Sequence, residues 1–160
     1  TITAGKKVVI VGSGGTSMAS GLTIGVSGSA VGSATIYMDG PITLSGNDSV
    51  NPSSWAGALT VYTNTSSATN GDCTLSGNAS FCGILYAPNA ALTGNGGGSN
   101  GTDLCGSFVV NSVTSNGHMN FHYDQNLASI NPSSKAWTLA LWKEMQSASD
   151  RALYASRLNF

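Results

Sequence analysis

The chain has 160 residues, enough for one domain with a sizeable core and short for a two-domain enzyme. Gly, Ser, Thr and Asn occupy 74 positions and disfavour a helix bundle, because they prefer turns and caps, while a hydrophobic content of 41% argues against disorder. With six basic and seven acidic residues, and no Lys or Arg between Lys7 and Lys135, nothing along that stretch neutralises phosphates, so nucleic acid is not an expected partner.

Short apolar runs of strand type follow one another along the chain at 7–11, 22–24, 34–38, 59–62, 83–87 and 107–110. They are too short for helices and rich in β-branched and aromatic residues, so each reads as a strand between Gly, Asn and Ser corners. Three of them carry Tyr37, Tyr62 and Tyr86, spaced by 25 and 24 positions, and Val109 follows 23 later. A second element repeats between them: Thr-Leu-Ser-Gly-Asn stands at 43–47 and again at 74–78, with weaker copies at 91–95 and 113–117.

A period in the low twenties, with several short strands and Gly/Asn corners per unit, is what a β-solenoid coil requires. A single coil cannot bury its apolar face, but coils stacked about 4.8 Å apart pair every strand with the next and share one core. A β-sandwich has similar turn spacing, yet near-identical copies favour stacking. The prediction is an all-β, right-handed β-solenoid of about five short coils over residues 1–135. Tyr37, Tyr62, Tyr86 and Val109 form one ladder in it, and Ile36, Val61, Leu85 and Phe108 lie on the opposite side of the same strands.

Beyond the Pro132 turn the pattern changes. Residues 136–142 alternate as a strand, after which Trp142, Met145, Ala152 and Leu153 share a helical face. Four of the six basic residues lie here, opposite in balance to the coils. A solenoid end exposes raw core and strand edges, so residues 136–160 are expected to form a C-terminal strand/helix cap and contact element, with Trp142, Leu153, Tyr154 and Phe160 as contact residues.

Several motifs invite a functional reading. Lys7–Val11 running into Gly12 and Gly14 imitates the start of a dinucleotide site, but Ser17 stands where the third glycine belongs, and further glycines fill the place of the helix. The glycine run at 94–101 has one nearby carboxylate, Asp103, too few for Ca²⁺. The segment 118–124 is the densest cluster: His118, Asn120, His122 and Asp124 alternate with Met119, Phe121 and Tyr123. Adjacent same-face positions about 7 Å apart keep the two histidines from converging on a metal without a bend. His122, Tyr123 and Asp124 are therefore read as structural, with His122 and Asp124 holding the chain as it leaves the last coil. No Gly-x-Ser-x-Gly elbow is present and Glu144 is the only glutamate, so no catalytic residue, cofactor or metal is assigned.

Cys73, Cys82 and Cys105 contain no Cys-x-x-Cys pair, and a low-charge Ser/Thr/Asn-rich surface suits an oxidising compartment. One disulfide with one thiol left over is expected. Cys73 and Cys82 flank a single corner and are preferred, leaving Cys105 out. The sequence holds no apolar run of the roughly 20 residues that a membrane span needs, and no signal-peptide pattern.

As a set, residues 35–47, 83–90, 120–124 with Leu127, and 141–144 resemble the C-terminal domain of PilX-like, type IV pilus-associated surface proteins of bacteria, with a strand–turn pattern similar to bactofilins. The resemblance implies an extracytoplasmic domain at the cell surface or in the bacterial envelope, with no catalytic residues to carry over. The expected function is thus a non-enzymatic structural or adhesive module, self-assembling or bound to pilus or envelope subunits. The rival expectation is a glycan-binding or glycan-active solenoid, marked by exposed aromatic platforms beside acids in a groove.

Overall fold

Along the longer strands buried and exposed positions alternate, and the buried ones are mainly apolar, a period of two that suits a sheet buried on one side. The computed structural model describes residues 1–13, 16–17, 21–52, 55–66, 71–97 and 100–129. In chain order the strands are β1 (Lys7–Gly12), β2 (Thr16–Ser17), β3 (Val26–Ser27), β4 (Ala30–Val31), β5 (Ser33–Met38), β6 (Ile42–Leu44), β7 (Ser49–Val50), β8 (Leu59–Thr63), β9 (Cys73–Gly77), β10 (Ser80–Gly96), β11 (Thr102–Ser115) and β12 (Met119–Tyr123). Short 3-10 turns lie at Ala56–Ala58 and Gln125–Ser129. β3 and β4 form a small antiparallel hairpin; all the other strand pairs are parallel.

The registers sort the strands into three stacked faces of a β-solenoid. On the first, β1, β5, β8 and the middle parts of β10 and β11 align, so that Ile10, Ile36, Val61, Leu85 and Phe108 form one column and Val11, Tyr37, Tyr62, Tyr86 and Val109 the next. On the second, β2, β6, β9 and the later parts of β10 and β11 align. The third carries Ile2 over Ile24, Leu22 over Val50, then Phe81, Leu104 and Phe121 through β7, β10, β11 and β12. β10 and β11 run through all three faces without ending. Pro88 sits where the β10–β11 register shifts, a place where a missing backbone donor is tolerated.

The solenoid makes about four turns, against the five expected from a uniform coil of 24 residues. The coil is not uniform: the β3–β4 hairpin and the nine residues between β8 and β9 lengthen individual turns. The alignment of the tyrosines and of the Thr-Leu-Ser-Gly-Asn copies is as expected, with Thr43 paired to Thr74 and Leu44 to Leu75. The copy at 91–95 is displaced by two positions, so Asn95 lies beside Ser76. A slip of two keeps every side chain on its own side of the sheet, and Leu92 and Leu75 both remain in the core.

Of the two units into which the chain divides, Thr1–Ile130 and Asn131–Phe160, the first contains the solenoid. The expected cap over 136–160, with Trp142, Leu153, Tyr154 and Phe160, lies outside the described residues. Among the described residues no helix is long and apolar enough to cross a membrane.

The core is a set of inward columns, including Ile36, Val61 and Leu85 on the first face and Leu44, Leu75 and Leu92 near the second. Each fully buried aliphatic side chain contributes roughly 1.5–3 kcal/mol. Leu85→Ala is expected to lower unfolding free energy by about 2–5 kcal/mol in denaturant titration, since it opens a cavity between two turns. Gly106 has φ +127°, and a Cβ built there would lie 2.0 Å from the Gly83 carbonyl oxygen on the next turn. Gly106→Ala should therefore cost at least about 2 kcal/mol in the same titration, through backbone strain and that clash.

Candidate functional site

On the first face the outward column is aromatic. Tyr37 and Tyr62 stack with ring centroids 5.0 Å apart and planes 8° from parallel, while Tyr86 is tilted by 56° at 6.0 Å from Tyr62. The rings are 44%, 39% and 45% exposed. Val11 and Val109 continue the column at its two ends, and Val9, Thr35, Thr60, Ile84 and Ser107 flank it. In a chain with only 8% charged residues, a lack of charge across these positions is unremarkable. The informative feature is three tyrosines and several branched aliphatics exposed together. Beside the rings, Tyr37, Met38, Tyr62, Thr63, Asn64, Tyr86 and Pro88 line an open groove of about 290 Å³.

The stacking decides what the ladder can present. Aromatic platforms hold sugars by their ring faces, and the shared face of Tyr37 and Tyr62 is taken up by the two rings themselves. What they offer outward is ring edges and hydroxyls.

A second group of side chains lies on the third face. His122 Nε2 is 3.1 Å from Asp103 Oδ1, with both side chains more than half exposed. Asn120 donates to the Asn100 carbonyl, and Asn78, Asn100, Gly101, Asp103 and Asn120 line a shallow polar hollow. Asp124 accepts from the Ala56 N–H at 3.2 Å and from the Asn126 N–H at 3.0 Å, tying the exit of β12 to the 3-10 turn before β8. His118 contributes its backbone carbonyl, which accepts from the Thr102 N–H. Among the described residues no three His, Cys, Asp or Glu side chains are grouped to hold a metal ion. Tyr123 pairs in register with Gly106 and is exposed, and Phe121 packs edge-on against Phe108.

The cysteines correct the sequence expectation, because Cys73 and Cys82 are not joined. Cys73 points into the core, fully buried, whereas Cys82 is half-buried on the other side of the corner. The chain does turn between them, but it leaves their side chains on opposite sides of the sheet. Cys82 instead lies in register with Cys105, and Cys105 with His122. Burial pushes the Cys73 thiol up, against a backbone hydrogen bond from Ile42. Burial first, then a hydrogen bond and charge interaction with Cys105, then Asp124 and Asp103, push Cys82 up to about 12.

The structure therefore brings Tyr37, Tyr62 and Tyr86 together, and places His122 and Asp124 at separate tasks. Sequence reasoning aligned Cys82 with Cys105 through their spacing of 23, but missed the Asp103–His122 pair and the place of His122 beside Cys105. The offset of 17 from Cys105 to His122 does not match the tyrosine period, so no repeat signalled it. It also missed Asn51, fully buried at φ +56°, whose Nδ2 donates to the Cys82 carbonyl at 2.9 Å.

Residues 1–130 match a family described as Domain of unknown function (DUF7305). No curated protein and no solved structure matches the chain.

The raised thiols couple stability to alkaline pH. Their folded pKa lies above the ordinary value of 9.0, so the stabilisation is fully present below about pH 9 and is lost as pH rises toward the folded value of about 12 for Cys82. The melting temperature should fall over that window, and Cys82→Ser should flatten part of the fall in a pH series followed by calorimetry.

Proposed function

We propose, for a chain that belongs to the family described as Domain of unknown function (DUF7305), a non-enzymatic structural role in which the tyrosine face packs against a second copy of the chain. The observation that carries this reading is the exposed Tyr37–Tyr62–Tyr86 ladder on a face of parallel strands. A sheet face of ring edges, hydroxyls and branched aliphatics can pack on its own copy, as the inner faces of two sheets pack about 10 Å apart. Association with type IV pilus-like or envelope assemblies, and a place at the bacterial cell surface, are supported by the sequence resemblance of residues 35–47, 83–90 and 120–124.

The glycan reading has less support, because the stacked Tyr37–Tyr62 pair withholds its shared ring face from a sugar. Among the described residues, no acid lines the groove beside the tyrosines and no aromatic residue lines the hollow around Asp103. A glycan site of the expected kind needs both in one place.

Tyr62→Glu places like charges opposite each other across a face-to-face pair. The variant should stay folded, losing only about 0.5–1.5 kcal/mol of ring stacking, yet sediment as a monomer at concentrations where the wild type associates. Deleting residues 146–160 removes the tail as a contact: association that persists belongs to the tyrosine face. A wild-type chain that remains monomeric in sedimentation velocity at high concentration, or that binds soluble polysaccharide through Tyr37 and Tyr86, overturns the proposal.

A further inference from the structure

The column formed by Cys82, Cys105 and His122 belongs to neither the core nor the tyrosine face. Cys82 and Cys105 are direct register partners on β10 and β11, and both are half-buried. Adjacent strands set the two Cα atoms about 4.8 Å apart, inside the range that disulfides use. Parallel partners hold their Cβ atoms slightly farther apart than a disulfide prefers, so the two strands must draw together locally. Each cysteine is followed by a glycine, Gly83 and Gly106, which are register partners too. Gly106 has φ +127°, and a Cβ there would strike the Gly83 carbonyl, so this position takes only glycine. No side chain on those following residues opposes the closure.

We infer that Cys82 and Cys105 are an oxidisable dithiol that a small-molecule disulfide converts into a reversible staple between the last two full turns of the solenoid. The chemistry balances as two thiol–disulfide exchanges. The Cys105 thiolate attacks the oxidant RSSR, giving Cys105–S–S–R and releasing one RS⁻. Cys82, losing its proton to solvent, then attacks the Cys105 sulfur, forming Cys82–S–S–Cys105 and releasing the second RS⁻. Two protein thiols are oxidised and one oxidant disulfide is reduced to two thiols.

The order of attack follows from the surroundings. Cys82 is held protonated by burial and by the Cys105 thiol, which makes it the poorer first nucleophile. Once Cys105 is in the mixed disulfide, its contribution to that hold is gone and Cys82 becomes easier to ionise. His122 stands in register on the other side of Cys105, braced by Asp103, where its imidazole can take or return a proton. Cys73 is sequestered in the core and takes no part. The bond closes a loop across a separation of 23 positions that includes the glycine-rich stretch 94–101, so it restricts the unfolded chain as well as joining two turns.

The test treats the reduced, folded full chain with oxidised glutathione, followed by intact mass, thiol titration and peptide mapping. The expected product has lost two hydrogens and two titratable thiols, carries no glutathione, maps as Cys82 linked to Cys105, and melts about 5–10 °C higher. A thiol reductant should restore the starting mass. Cys73→Ser should behave as wild type, whereas Cys82→Ser should accumulate one glutathione adduct on Cys105. The inference is overturned if the wild type keeps stable adducts without a link, if Cys73 enters the link, or if both thiols stay unmodified while the denatured chain reacts.

Discussion

Parallel stacking in register governs this molecule. Each strand pairs with its counterpart one turn away, so a side chain's neighbours above and below are set by the register and not by proximity in sequence. Because side chains alternate with a period of two, every column is wholly inward or wholly outward. The inward columns fuse into one core from Ile2 to Leu104. Backbone hydrogen bonds between turns keep that order, and at Gly106 the positive φ would aim a Cβ at the Gly83 carbonyl of the neighbouring turn.

How much of this was legible depended on where the chain keeps a constant length. The tyrosine column was readable because the steps from Tyr37 to Tyr62 to Tyr86 to Val109 are 25, 24 and 23, near enough to one period. The step from Thr43 to Thr74 is 31, since nine residues separate β8 from β9 where only three separate β5 from β6. That pair was recognised through identity of the motif, not its spacing. The copy at 91–95 was recognised too, but its slip of two was invisible, because both registers bury a leucine.

The cysteine pairing failed for a related reason. Nine residues and a Gly-Asn corner suggested that Cys73 and Cys82 face each other, but the sequence does not state which side of the sheet each occupies. Their burial does: one faces the core and the other faces away. The 23-residue spacing of Cys82 and Cys105 carried the correct neighbour relation. Asp103 and His122 meet across adjacent columns of two strands whose offset belongs to the last, shortened turn.

The two kinds of column differ in what substitution costs, and that difference locates function. Removing an inward aliphatic takes about 2–5 kcal/mol from a domain with ~5–15 kcal/mol in total, so inward columns are held to a narrow chemistry. An exposed ring pair contributes only about 0.5–1.5 kcal/mol, so outward columns can change their chemistry while the fold persists. Repetition then multiplies whatever an outward position carries. One tyrosine per turn becomes a continuous aromatic stripe, and one cysteine on each of two turns becomes a dithiol in register with a histidine. A site of this kind is assembled by the stacking itself, so residues far apart in sequence act together without a loop built to bring them there.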